Sequence, residues 1–218
     1  KDPVIDFSLV KNRTFWSAAL SRFCLFVSYS AFAVLIPYFF ERVLFFSTHE
    51  SGRFMTVIPL AIFLIAPISG RLSDSYGSRE LCFIGAGFIA ITLLLLGGMA
   101  GSGLTGEMTS VSVVLALAAV GLGMGLFQSP NNNTVMGIVP APKLSVASAL
   151  IAMIRNLGLF TGVGLGTSLY SWKGQQTGNL FQALQFAFFV AAFFGVAAMV
   201  FSLGKERGPH WKYGKKQI

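Results

Sequence analysis

Residues 54–99 read FMTVIPLAIFLIAPISG, then RLSDSYGSRE, then LCFIGAGFIAITLLLLGGM. The first piece, Phe54 to Gly70, is 17 residues without a charge, and the third, Leu81 to Met99, carries none either. A helix rising about 1.5 Å per residue needs roughly 20 apolar residues to cross a hydrocarbon core about 30 Å thick. Each apolar piece is therefore a membrane span, and the charged decapeptide is the turn that joins them. The earlier span is short, which predicts that Arg53 snorkels at its outer end. Alternation at period two, the signature of a membrane barrel, is absent.

Working outward, the gaps between charges repeat this pattern along the chain. Spans are expected at about residues 15–39, 54–70, 81–99, 111–130, 145–170 and 180–203. The predicted fold is all-α, a polytopic membrane protein built as a bundle of six transmembrane helices. Residues 1–14 form a polar linker, 15–203 the six-span unit, and 204–218 a basic tail. The opening residues carry no signal peptide, and a start at Lys1 rather than Met is expected of a trimmed chain or a piece of a longer polypeptide.

Composition excludes the alternatives. Charged residues make up 11% of the 218 positions and apolar residues 54%, with 22 Phe and 24 Gly. An average soluble domain is roughly 25% charged, so this chain cannot dress a water-facing surface. The net charge of +8 records membrane orientation rather than a nucleic-acid partner. Eleven basic residues (Lys1, Lys11, Arg13, Arg71, Arg79, Lys143, Lys205, Arg207, Lys212, Lys215 and Lys216) fall on one side of the bundle, against Arg42, Arg53 and Lys173 on the other. Both termini are therefore expected in the cytoplasm, with the protein in the plasma membrane. Cys24 and Cys82 lie in apolar runs, where a thiol behaves as a small hydrophobe. His49 and His210 stand alone in loops, so no metal is expected, and no nucleophile–base set or phosphate loop points to an enzyme.

The decapeptide turn has a second reading. Gly70, Asp74, Gly77 and Arg79 form the pattern G-x-L-x-D-x-x-G-x-R between two spans. A plain solvated loop accounts for glycine corners and for charges that complement helix dipoles. The pattern also resembles the signature loop of the major facilitator superfamily, in which acid and base latch neighbouring helix ends in one alternating state. The resemblance implies that Asp74 and Arg79 are latch members, with Gly70 and Gly77 shaping the turn. This chain has Ser75 and Ser78 where the family often has basic residues.

Further blocks carry a narrower likeness. Asp2-Pro3-Val4-Ile5-Asp6-Phe7 with Lys11-Asn12-Arg13-Thr14-Phe15 is similar to the linker entering the C-terminal lobe of fourteen-span drug:proton antiporters. Gly121-Leu122-Gly123-Met124-Gly125 with Pro130-Asn131-Asn132, Met136-Gly137-Ile138-Val139-Pro140, and Ala147-Ser148-Ala149-Leu150 with Arg155-Asn156-Leu157-Gly158 match as well. The resemblance implies a six-helix C-terminal lobe whose N-terminal partner lobe lies outside this chain. It further implies multidrug efflux of a small amphipathic substrate, no cofactor, and a proton gradient as the energy source. An uptake carrier on the same scaffold, or a non-transporting membrane scaffold, is the alternative.

Within the spans, Gly121, Met124, Gly125, Gln128, Asn131, Asn132 and Val135 recur at helical spacing on one face. Unpaired amides cost several kcal/mol in lipid, so that face meets water, protein or substrate. A helix–helix interface joined by amides is the competing reading. Family resemblance makes the fourth and first spans cavity-lining, which adds Ser17, Ser21 and Ser28 on one stripe and Arg22 with Tyr29 on another. Arg155 lies 12 residues beyond Lys143, about 18 Å up its helix and too deep to snorkel. It is either a structural arginine or part of the substrate or proton path. Gly158, Gly162 and Gly166 form a small-residue ridge suited to close helix packing. The Phe-rich sixth span is expected to meet lipid.

Overall fold

The computed structural model describes residues 13–102, 110–140 and 143–204, apart from the side chains at 74–76 and 102. The linker up to residue 12, the loop 103–109 and the tail from 205 lie outside the described residues. Seven helices follow one another: α1 (Arg13–Arg42), α2 (Thr48–Met55), α3 (Val57–Tyr76), α4 (Ser78–Ser102), α5 (Ser110–Ile138), α6 (Leu144–Thr177) and α7 (Leu180–Leu203). Among the described residues six stretches are long and apolar enough to cross a membrane, α2 and α3 counting together as one.

Local chemistry sets the ends. In α2 the Ser47 hydroxyl accepts from the Glu50 amide while the Glu50 carboxylate accepts from the Ser47 amide, a reciprocal cap. Ser47→Ala should cost about 1 kcal/mol locally, read as faster amide exchange over residues 48–51. The helix breaks at Thr56, whose N–H and hydroxyl both donate to the Arg53 carbonyl. Pro59 contributes, since it has no N–H to offer the Met55 carbonyl and sits in the first turn of α3, where none is needed. At the other end of α3, Gly77 takes φ +93°, a conformation that suits glycine, and its N–H donates to the Ser73 carbonyl. Gly178 (φ +63°) closes α6, and the Asn179 carboxamide then accepts from the Phe181 and Gln182 amides to start α7.

The spans fall in two successive sets of three, α1 to α4 and α5 to α7, which pack on one another. In the first set, α1 packs on α6 and α7 of the second; in the second, α5 packs on α3 and α4 of the first. The α4–α7 contact lies between the sets and is the most extensive. Where these helices cross, the glycines remove the side-chain layer. Gly85 on α4 and Gly123 on α5 face each other so closely that a Cβ on either would strike the other's carbonyl. Gly121 lies against Ile58 and Ala61 of α3, and Gly125 against Ile65.

Phe32, Phe39, Phe40, Phe127 and Phe188 fill the core. Phe188 meets Phe39 edge-on at 5.9 Å. This corrects the expectation that the phenylalanines of the last span serve lipid contact alone: Phe181, Phe189, Phe193 and Phe201 are exposed, whereas Phe188 is buried because it lies on the α1 side of α7. Exposed Phe63, Leu64, Phe160 and Phe193 belong to the apolar outer belt, which only lipid or protein can cover. The second and fifth spans are least enclosed, 17% and 22% buried over their apolar windows against 67% for the first.

Candidate functional site

Arg22 is the most deeply buried charge among the described residues, 4% exposed. It stands nine residues into α1, about 14 Å along the helix. Its Nη2 donates to the Asn132 carboxamide oxygen on α5, and its Nε is buried with no partner. Arg155, on α6, is half-buried, and its Nε is also buried without a partner. Gly158, three residues on, brings α6 onto α1: a Cβ there would lie 2.9 Å from both the Phe23 carbonyl oxygen and Phe26 Cβ. Gly158 thus lies against Phe23, the neighbour of Arg22, and Arg155 one turn earlier stands at the same crossing, like charge beside like charge. Asn131, fully buried, sits beside Asn132 on the same turn.

Below this polar group lies a small apolar cluster, separate from the main core. Phe15, Ala18 and Ala19 of α1 meet Val135 and Val139 at the end of α5 and Ala147 and Ile151 of α6. The three helices that present Arg22, Asn132 and Arg155 are thus tied together at their loop ends.

The other candidate residues disperse. Ser17 donates to the Phe201 carbonyl of α7, Ser21 to the Ala18 carbonyl of its own helix, and Ser28 lies beside Gly195 of α7. Ser21 and Ser28 are fully buried. The serine stripe therefore faces the α7 packing surface, not an open cavity, because α1 turns that face inward. Tyr29 and Gln128 are half-buried, and Met124 is buried in the main core. The glycine members of the α5 stripe face α3, so the stripe divides between helix packing and the Arg22 group. Gly162 meets Val27 and Ser30, and Gly166 meets Ala31 and Val34, which places the α6 ridge on α1.

Of the loop residues, Gly70 approaches Ser129 of α5 and Arg79 is half-buried. The Asp74 side chain lies outside the described residues. Ser73 and Ser78 hydroxyls bond across the turn at 2.8 Å, so one of the serines at the basic positions joins the two helix ends without charge. Sequence reasoning missed Ser69, whose hydroxyl reaches the Gly125 carbonyl at 2.7 Å, and the outer aromatic group. There Tyr38 stacks on Tyr170 at 5.0 Å, and the Lys173 ammonium lies 5.8 Å from the Trp172 ring and 5.7 Å from Phe186. The adjacent Trp172-Lys173 pair was the available signal, since aromatic and basic residues mark span ends.

A bundle of six helices long and apolar enough to cross a membrane, with a polar group held inside, has the architecture of a polytopic helical membrane protein. The chain belongs to the Major Facilitator Superfamily, whose profile matches residues 18–217, a family of membrane transporters rather than enzymes. It is 33% identical over 77% of its length to the riboflavin transporter RibZ of Clostridioides difficile, of which the match covers 36%. It is similar at 27% identity to the uncharacterized transporter YebQ of Escherichia coli, over 75% of this chain and 35% of that one. It is also 23% identical, over 93% of its length, to the quinolone resistance protein NorB of Staphylococcus aureus, matching 42% of that protein. The chain thus spans well under half the length of these relatives.

Proposed function

We propose that this chain is the C-terminal six-span lobe of a proton-coupled exporter of small amphipathic compounds, working by alternating access in the plasma membrane. The observation that carries this reading is the Arg22–Asn132–Arg155 group, three polar side chains from α1, α5 and α6 inside an otherwise apolar bundle. A buried charge costs roughly 3 kcal/mol or more at the middle of a span, and in membrane proteins such groups mark solute and ion paths. The likeness to a quinolone resistance protein supports export. The likeness to a riboflavin transporter favours a second reading, a carrier for a planar heteroaromatic solute. Accumulation of a fluorescent drug and of riboflavin, in cells with and without the whole protein and with and without a protonophore, separates the two. Protonophore-sensitive drug loss supports export; movement of riboflavin alone supports the second reading. Movement of neither refutes both.

The lobe alone should carry no flux in liposomes, because a second lobe supplies the other wall of the path. Proton coupling needs a group that changes charge within the membrane. The eight acids, Asp2, Asp6, Glu41, Glu50, Asp74, Glu80, Glu107 and Glu206, all fall in loops, tails or span edges. The coupling carboxylate therefore belongs to the rest of the protein. Glu41, half-buried at the end of α1 and hydrogen-bonded by the Thr48 hydroxyl, is the best-placed exception. In the whole protein Glu41→Gln should leave proton-driven transport largely intact; abolished coupling with normal expression would move the proton into this lobe.

Orientation is open to labelling, since Cys24 and Cys82 are buried and give little background. A cysteine at exposed Thr177 should react with an impermeant maleimide from outside, and one at exposed Pro140 only after the cells are opened. The reverse pattern would invert the topology.

A further inference from the structure

We propose that Arg22 and Arg155 form a binding site for the carboxylate of a small amphipathic solute. The inference deepens the transporter reading by naming the chemistry of what the cluster holds. A guanidinium has five N–H donors and no acceptor. Arg22 is 4% exposed, yet the structure gives it one side-chain acceptor, Asn132, and leaves its Nε buried and unpartnered. Asn132 carries no charge, so the cation itself is unbalanced.

Arg155 makes the imbalance worse. It is a second cation brought beside the first by the α1–α6 crossing at Gly158, with its own Nε unpartnered. Two like charges in an apolar bundle raise each other's cost, and a structural arginine is normally balanced by an acid or by backbone carbonyls. What the pair lacks is a planar anion with two oxygens. A carboxylate can accept from both forks at once, with the charge assistance that makes such bonds strong. Chloride or another spherical ion would satisfy the charge and leave the fork geometry unused.

The surroundings fit a molecule with an apolar body. The cluster of Phe15, Val135, Ile151 and their neighbours closes the loop side below the arginines. Arg155 is only half-buried, and outside that loop-end cluster α5 and α6 make little contact. An anionic head can lodge between the arginines while an aromatic body rests on the apolar walls.

The test uses the full chain in lipid nanodiscs, with 2-naphthoate and its uncharged isostere 2-naphthamide as probes, and calorimetry as the readout. Naphthoate should bind at least about tenfold more tightly than naphthamide, a difference of about 1.4 kcal/mol, because its hydrogen bonds to the arginines are charge-assisted. Arg155→Gln should erase that preference and Arg155→Lys should keep part of it, because Lys retains the charge and loses the fork. Unchanged naphthamide affinity in each variant shows that the fold survives. Equal affinity of the two probes for the native chain would overturn the site, as would a preference that persists in Arg22→Gln/Arg155→Gln. Binding needs neither a gradient nor flux, so failure of the whole protein, with its second lobe, to transport a naphthoate that binds would count against the transporter reading and leave this site standing.

Discussion

Gly162→Ala is expected to destabilise the bundle by about 2–3 kcal/mol, whereas Gly164→Ala, two residues along the same helix, should be neutral or up to about 1 kcal/mol stabilising. A Cβ at residue 162 would run into the Val27 carbonyl and the Ser30 hydroxyl of α1. The first of these is backbone and cannot rotate away, so α6 must lift off α1 and forfeit packing along the whole crossing. At Gly164 nothing lies within 4 Å, and alanine simply improves helix propensity. The midpoint of unfolding by SDS in mixed micelles measures both. Equal midpoints for the two variants would mean that the ridge does not hold α6 on α1.

Asn132→Leu should cost about 3 kcal/mol, because it removes the one side-chain acceptor of a buried guanidinium and leaves the charge uncompensated. Adding Arg22→Met should recover most of that loss, since an apolar pair of similar volume removes the penalty with its cause. The double-mutant cycle in the same unfolding assay isolates the interaction. If the two single losses simply add, Arg22 does not depend on Asn132 and the pair is a coincidence of packing.

Much of the architecture was open to reading in the sequence, for a definite physical reason. Lipid tolerates few charges, so the gaps between charged residues carry the helix count directly, and Gly158, Gly162 and Gly166 advertise a close-packing ridge through their spacing alone. What the sequence could not reveal was direction. A helix apolar on all sides has no face that chemistry distinguishes, so Ser21 and Ser28 read as cavity candidates although both are fully buried, Ser28 against Gly195 of α7. Asn132 and Arg22 are 110 residues apart, and their pairing depends on how α5 crosses α1, which no local pattern encodes. The break at Thr56 was legible in principle from Pro59, but hydropathy runs across it without a change.

The apolar knot beneath the arginines bears on how the bundle deforms. Phe15, Val135 and Ile151 come from three separate helices and interlock at one end, and close-packed contacts of that kind resist shear far better than they resist tilting as a block. The loop ends of α1, α5 and α6 therefore travel together. The least enclosed surfaces are those of the second and fifth spans, so whatever covers them meets a bundle whose loop end moves as one block.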